Sequence, residues 1–195
     1  MSNHPVQLEF TIPMRTARLH VVTRLALLVA LGVIGTSAMT WALYLGIPAV
    51  VALVISQTGG ERYVTESSGP VVKVLRWFAS AYGYLWMLTD VLPTTQGGPV
   101  ELQVTPEGHP TMGSALSRLV TSLPALLVLA VLSAVAALLW IVAALVVLVR
   151  QRMPAGIARF IAVVLRFQFR LVAYHLSIVD RYPSLQEGTL VHAPA

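Results

Sequence analysis

The 195-residue chain contains no cysteine, which removes disulfides, thiolate metal sites and cysteine nucleophiles from consideration. Charge is scarce as well: 11% of residues are Asp, Glu, Lys or Arg, against about 25% in ordinary soluble domains. None of the acidic residues falls inside a long apolar run, so the intramembrane carboxylate that a proton or ion relay requires is missing. The histidines (His4, His20, His109, His175, His192) show neither His-x-x-x-His nor Glu-x-x-His spacing, and no glycine-rich phosphate loop follows a strand and opens a helix. His20 and His175 are the one conceivable pair of axial haem ligands from two helices, and they are read instead as interfacial histidines. The Met-Ser-Asn-His-Pro start has no basic n-region, and the first apolar run begins only at Leu25, so a retained N-terminus is expected rather than a cleaved leader. With no nucleophile–base pair, metal cluster or buried acid in the pattern, the chain is expected not to be an enzyme and to carry no cofactor.

What remains is largely apolar. The hydrophobic fraction is 56% and the mean hydropathy is +0.77, the composition of an integral membrane protein. The net charge of +5 arises from 13 basic and 8 acidic residues. In such a protein the excess reports orientation and anionic headgroups, and no nucleic-acid partner is expected.

The sequence reads as a tandem repeat. Val74-Leu75-Arg76-Trp77 recurs 90 residues on as Val164-Leu165-Arg166-Phe167, and at the same offset Tyr84, Asp90 and Pro93 recur as Tyr174, Asp180 and Pro183. Pro5-Val6-Gln7-Leu8-Glu9-Phe10 alternates as a half-buried strand does, and Pro99-Val100-Glu101-Leu102-Gln103-Val104 repeats it at an offset of 94. The units are placed at residues 5–98 and 99–188, with a tail at 189–195. Each holds a strand, a long apolar run and an aromatic-basic helix. The fold class expected is therefore an α-helical integral membrane protein with short β-strands.

Each run, Leu25 to Ile55 and Leu119 to Val149, is 31 residues without a charge. One straight helix of that length would measure about 46 Å, against a hydrocarbon core of about 30 Å. The reading is a helical hairpin, with one long helix as the alternative. A hairpin also puts the twin strands on one side of the membrane, where they can pair; a further strand is expected at Thr189 to Val191.

In the second unit Arg159, Arg166 and Arg170 fall within about 40° of one another on a helix, forming a basic stripe. Such a helix is expected to lie in the interface with its arginines toward lipid phosphate, joined by Lys73 and Arg76 of the first unit. The competing arrangement turns the arginines inward, toward Asp90, Asp180 or Glu187 of the other unit. Asp90 and Asp180 sit at helix C-termini, where the dipole opposes a carboxylate. Each either makes an Asx turn or pairs with an arginine of the neighbouring unit, with Tyr84 and Tyr174 close by. The aromatic residues form an interfacial belt or line a lipid-tail groove. Ala79-x-x-x-Gly83 and Ser133-x-x-x-Ala137 permit close helix approach.

The strand of Pro-Val-x-Leu type, the long apolar run, the Val-Leu-Arg-aromatic helix with its later Tyr, and Asp180-Arg181-Tyr182-Pro183 together resemble the bacterial membrane family called domain of unknown function 4389 (DUF4389). The resemblance runs from Pro5 to about Glu187. It departs in the first unit, where Val91-Leu92-Pro93 replaces the Arg-Tyr-Pro ending. It implies an actinobacterial origin and a run split into two membrane segments, and it brings no activity. The function expected is a non-enzymatic membrane scaffold or accessory subunit, self-associating or bound in a larger membrane complex. The alternative is an anionic-lipid-binding or small transport component that uses the arginine-aromatic helix. The location expected is the inner (plasma) membrane, multi-pass, with cytoplasmic termini.

Overall fold

A computed structural model describes residues 4–33, 36–93, 98–185 and 191–192, the side chains at 29–43 and 191–192 excepted. The chain is mostly helical, with one small sheet. Strand β1 (Val6–Ile12) leads to α1 (Arg18–Val33) and α2 (Thr36–Thr58). A single turn, α3 (Gly60–Arg62), and a π-helical stretch at Tyr63–Ser67 then lead into α4 (Ser68–Leu85). Strand β2 (Val100–Val104), α5 (Met112–Thr121), α6 (Leu123–Arg150) and α7 (Ala155–His175) follow, and β3 (Val191–His192) is last.

Strands β1 and β2 pair antiparallel, with Leu8 opposite Leu102, Glu9 opposite Glu101 and Gln7 opposite Gln103. The pairing is thus centred on two leucines that are themselves 94 residues apart. Alternation does the sorting: Val6, Leu8, Phe10 and Leu102 are buried, while Gln7, Glu9, Glu101 and Gln103 are exposed. β3 pairs parallel to β1 through Thr11 and Ile12. The expected third strand therefore lies at Val191–His192, while Thr189 and Glu187 fall outside the described residues.

The second apolar run is a helix, and the hairpin expectation is corrected there. α6 continues for 28 residues, about 42 Å at 1.5 Å per residue. Its proline, Pro124, sits in the first turn, where a missing N–H leaves no hydrogen bond unmade. Ser133 alone interrupts the apolar residues beyond it and has no means of turning the chain. The first run is divided between α1 and α2, with residues 34–35 outside the described set, and α2 continues through Pro48.

α6 is the one helix among the described residues long and apolar enough to cross a membrane, with a hydropathy of 2.9. Only 22% of that apolar window is buried. Leu127, Val131, Leu138, Ile141, Leu145 and Val149 point outward, whereas Ala136, Trp140, Ala143 and Val147 face the protein. α7 packs between α6 and β1, and α4 lies against β2. The main core joins the inner face of the sheet to Leu75, Ala79, Ala158, Ile161, Leu165 and Phe169.

Candidate functional site: two arginine–tyrosine–aspartate boxes

α4 and α7 end in the same way. After α4 the N–H of Met87 donates to Tyr84 O (3.1 Å) and that of Leu88 to Gly83 O (2.9 Å). After α7, Ser177 donates to Tyr174 O (3.0 Å) and Ile178 to Ala173 O (3.2 Å). These are Schellman turns, which need one residue in the left-handed region. Met87 (φ 61) and Ser177 (φ 54) adopt it without being glycine. The turn reverses the chain, so that the carbonyl of Thr89 or Val179 and the carboxylate of Asp90 or Asp180 come back beside the helix end.

An arginine fills each space so formed, Arg24 of α1 in the first and Arg118 of α5 in the second. In the first box Arg24 Nη2 donates to Thr89 O (2.6 Å) and to Asp90 Oδ1 (2.7 Å). Its guanidinium lies 4.6 Å from the centre of the Tyr84 ring. The Tyr84 hydroxyl is 3.0 Å from both Thr23 Oγ1 and His20 Nδ1, and Ala17 N–H donates to Asp90 Oδ2 (3.2 Å). In the second box Arg118 Nη1 donates to Tyr174 O (2.6 Å) and Val179 O (2.7 Å), and Nη2 binds Asp180. This guanidinium sits 4.5 Å from the Tyr174 ring centre, and Tyr174 OH is 3.0 Å from Thr121 Oγ1. Gly108 (φ 97) lies where the Asp180 carboxylate leaves no room for a Cβ.

The boxes answer the question that the sequence raised about a carboxylate at a helix C-terminus. The cation meets the negative end of the helix dipole first, and the carboxylate follows the cation. Asp90 and Asp180 were expected to make Asx turns or to pair with the neighbouring unit. Each instead pairs with an arginine from its own stretch of chain, 5–98 or 99–188. In the sequence Arg24 is the last of three cations, after Arg15 and Arg18, that lead into the first apolar run, and Arg118 leads into the second; the separation of Arg24 and Arg118 by 94, the offset of the strands, is the signal that could have marked them.

The helix arginines make the links between the two stretches. The ladder is closed at its ends by Thr105 N–H to Pro5 O (2.9 Å) and Thr11 N–H to Pro99 O (2.7 Å). Alternation along an antiparallel pair therefore turns the polar groups of Leu8 and Leu102 away from each other. Arg166 Nε donates to Leu8 O (2.7 Å), and Arg76 Nε donates to Leu102 O (3.1 Å). Each arginine covers the outer edge of the strand that belongs to the other stretch. Arg170 Nε reaches Val6 O (3.4 Å), and its Nη1 reaches Ser184 O (2.7 Å).

This overturns the outward stripe at two of its three arginines. Arg166 and Arg170 are buried, while Arg159 and Lys73 are exposed and Arg76 stays near the surface. The strand carbonyls supply the acceptors that lipid phosphate was expected to supply. Burial holds both interior guanidiniums below their usual pKa, opposed for Arg166 by Glu9 and reinforced for Arg170 by Arg166 and Arg181. Among the described residues, Arg166 and Arg170 meet backbone carbonyls rather than Asp90 or Asp180, the partners that the inward alternative expected; Glu187 lies outside the described residues.

The second box differs from the first in its surroundings. His175 is buried with its ring 4.8 Å from that of Tyr44, and burial, helped by Arg118, lowers its pKa to about 4. Tyr63 OH donates to Leu176 O, and burial pushes the phenol up to about 12. The position 90 residues before His175 is Leu85, whose carbonyl accepts from Trp140 Nε1 (2.9 Å), in a cluster of Val21, Met87, Ala144 and Val147. His20 and His175 belong to different boxes. No group of three metal-binding side chains occurs among the described residues. Of the close-approach motifs, Gly83 abuts Val100 of β2, so Ala79-x-x-x-Gly83 serves strand packing.

The architecture defines a mostly helical chain with one candidate spanning helix and a small sheet clasped by arginines. Residues 113–185 match the family described as Domain of unknown function (DUF4389), a stretch that contains Arg118, Tyr174 and Asp180. No curated protein and no solved structure matches the chain.

Proposed function

We propose that the chain is a tandem pair of units, residues 5–98 and 99–188, fused into a non-enzymatic scaffold of the bacterial inner membrane that serves as an accessory subunit of a membrane complex or of its own oligomer. The observation that carries this reading is the direction of the polar groups. Arg24, Arg118, Arg166 and Arg170 are spent on backbone carbonyls and two aspartates, while α6 turns an unbroken apolar face outward. Groups that would clamp a substrate in an enzyme here clamp the chain to itself. The offsets of 90 and 94, which recur in strand pairing, helix ends and both boxes, support the tandem reading. The hydropathy and exposure of α6 support a membrane location, with the first apolar run as a further crossing and the termini on the cytoplasmic side.

The test is alkaline carbonate extraction followed by native purification in mild detergent. The protein is expected to stay with the membrane and to elute as an oligomer or with a stoichiometric partner. Elution as a lone monomer would contradict the scaffold reading. An anionic-lipid component is the second reading, and the exposed arginines at one end of α6 favour it.

A further inference from the structure

The end of α6 is tied to the approach to α1. Thr16 N–H donates to Gln151 O (3.0 Å), and an Arg18 Nη donates to Val149 O (3.4 Å). Four arginines, Arg15, Arg18, Arg150 and Arg152, are therefore gathered around one junction, and all four are exposed. Among the described residues none of them has an ion-pair partner. Asp90, the carboxylate that reaches this segment through Ala17 N–H, is taken up by Arg24. The outward face of α6 leads directly into the cluster through exposed Leu145, Leu148 and Val149.

The same framework occurs 94 residues away with a different charge. The positions that correspond to Arg15, Arg18, Arg150 and Arg152 are His109, Met112, Ser56 and Thr58. There the end of α2 meets the approach to α5, with Gly60 packed on the Pro110 backbone. His109 lies 3.5 Å from Glu61, Arg62 lies 3.8 Å from Glu66, and Glu107 is exposed. One junction is strongly cationic, and its counterpart holds one arginine among the carboxylates of Glu61, Glu66 and Glu107. Support of the fold does not require four unmatched guanidiniums, since the counterpart closes without them.

We propose that the junction of α1 and α6 binds the headgroup of an anionic phospholipid, which seats this end of α6 in the anionic leaflet. Guanidiniums clustered where an apolar helix face ends lie at the depth of lipid phosphate, and such clusters favour anionic over zwitterionic headgroups. The site is separate from the Arg166 and Arg170 contacts, which are interior. The proposal rests on the membrane reading above.

The experiment compares full-length protein with two double variants of equal charge loss. Arg15→Gln with Arg152→Gln removes two arginines of the junction that make no hydrogen bond among the described residues. Arg62→Gln with Arg181→Gln removes two exposed cations elsewhere. Each protein, in the same mild detergent, is offered phosphatidylglycerol or phosphatidylcholine of identical chains, and bound lipid is counted by native mass spectrometry. The wild type is expected to retain phosphatidylglycerol over phosphatidylcholine, the junction variant to lose about tenfold of that preference, and the control variant to keep it. Unfolding temperature is read in parallel, and Arg152→Gln alone, with an intermediate loss expected, replaces the double variant if the latter unfolds. Equal loss in both double variants, or no preference in the wild type, overturns the proposal while leaving the membrane reading intact. Release of the wild type by alkaline carbonate overturns both.

Discussion

Arg24 and Asp90 meet with the guanidinium fully buried and the carboxylate 19% exposed, whereas Arg118 holds an Asp180 that is 47% exposed. The two boxes share a turn, an aromatic ring and an ion pair, yet they differ in what water can reach. The first is packed by Met87, Trp140 and Val147. The second borders His175, Ser177, Tyr44 and Tyr63, and it opens toward solvent at its carboxylate. One backbone solution thus tolerates an apolar or a polar filling. The ion pair is expected to matter most where no water can replace it.

The difference between the two boxes is measurable as unfolding free energy in one detergent. Asp90→Asn leaves Arg24 buried without its counter-charge and is expected to cost about 3 to 5 kcal/mol. Asp180→Asn should cost less, about 1 to 2 kcal/mol, because water reaches this carboxylate although Arg118 stays buried and keeps Tyr174 O and Val179 O. Equal losses would break the distinction between a sealed and an open box.

The next largest effect is on pH dependence. Burial lowers the pKa of His175 from 6.5 to about 4, so the unfolded chain binds a proton that the folded chain refuses. The stability tied to neutral His175 is complete above pH 6.5 and is lost as pH falls toward 4, by up to about 3 kcal/mol. His4, lowered to about 4 by burial and Arg170, adds in the same window and the same direction. His175→Leu, which installs the residue type of the first box, should shrink the acid loss by roughly half. An unchanged pH profile would show that the buried histidine is not what sets the second box apart.

Arginine replacement at the strand edges should separate the two stretches further. Arg166→Gln removes a buried charged donor from Leu8 O and is expected to cost about 2 kcal/mol, against less than about 1 for Arg76→Gln, which lies near solvent. The smallest effect is at the helix ends. Ser177→Gly relieves a left-handed serine whose buried hydroxyl has no partner and should stabilise by about 1 kcal/mol. Met87→Gly relieves the same backbone but forfeits a fully buried side chain, so a net loss is expected there.

Periodicity and spacing made several of these features readable. The alternation of Val6, Leu8 and Phe10 marked a strand with one buried face, and its twin at 94 residues marked the partner. Arg166 and Arg170 were correctly placed on one side of a helix. A helical period fixes the angle between side chains and says nothing about what lies opposite, so lipid phosphate and a strand carbonyl were equally compatible with the stripe. Arg24 and Arg118 were hidden for a related reason: cations that lead into an apolar run read as orientation signals until the reversed turn after α4 or α7 brings a carbonyl and a carboxylate to one of them. The run from Leu119 to Val149 was too long for one straight crossing by length alone. Only the placement of Pro124 in the first turn, with α5 ending just before it, shows how one continuous helix uses most of it.

The two stretches are interlocked, each strand edge covered by the other's arginine, and they are expected to hold together without the peptide that joins them. A protease site placed at residues 94–97 of the full-length protein, cleaved after purification in mild detergent and followed by size-exclusion chromatography, tests this directly. The two fragments are expected to co-elute at the position of the intact protein and to separate earlier in a denaturant series when Arg166→Gln is introduced. Fragments that part on cleavage without denaturant would contradict it.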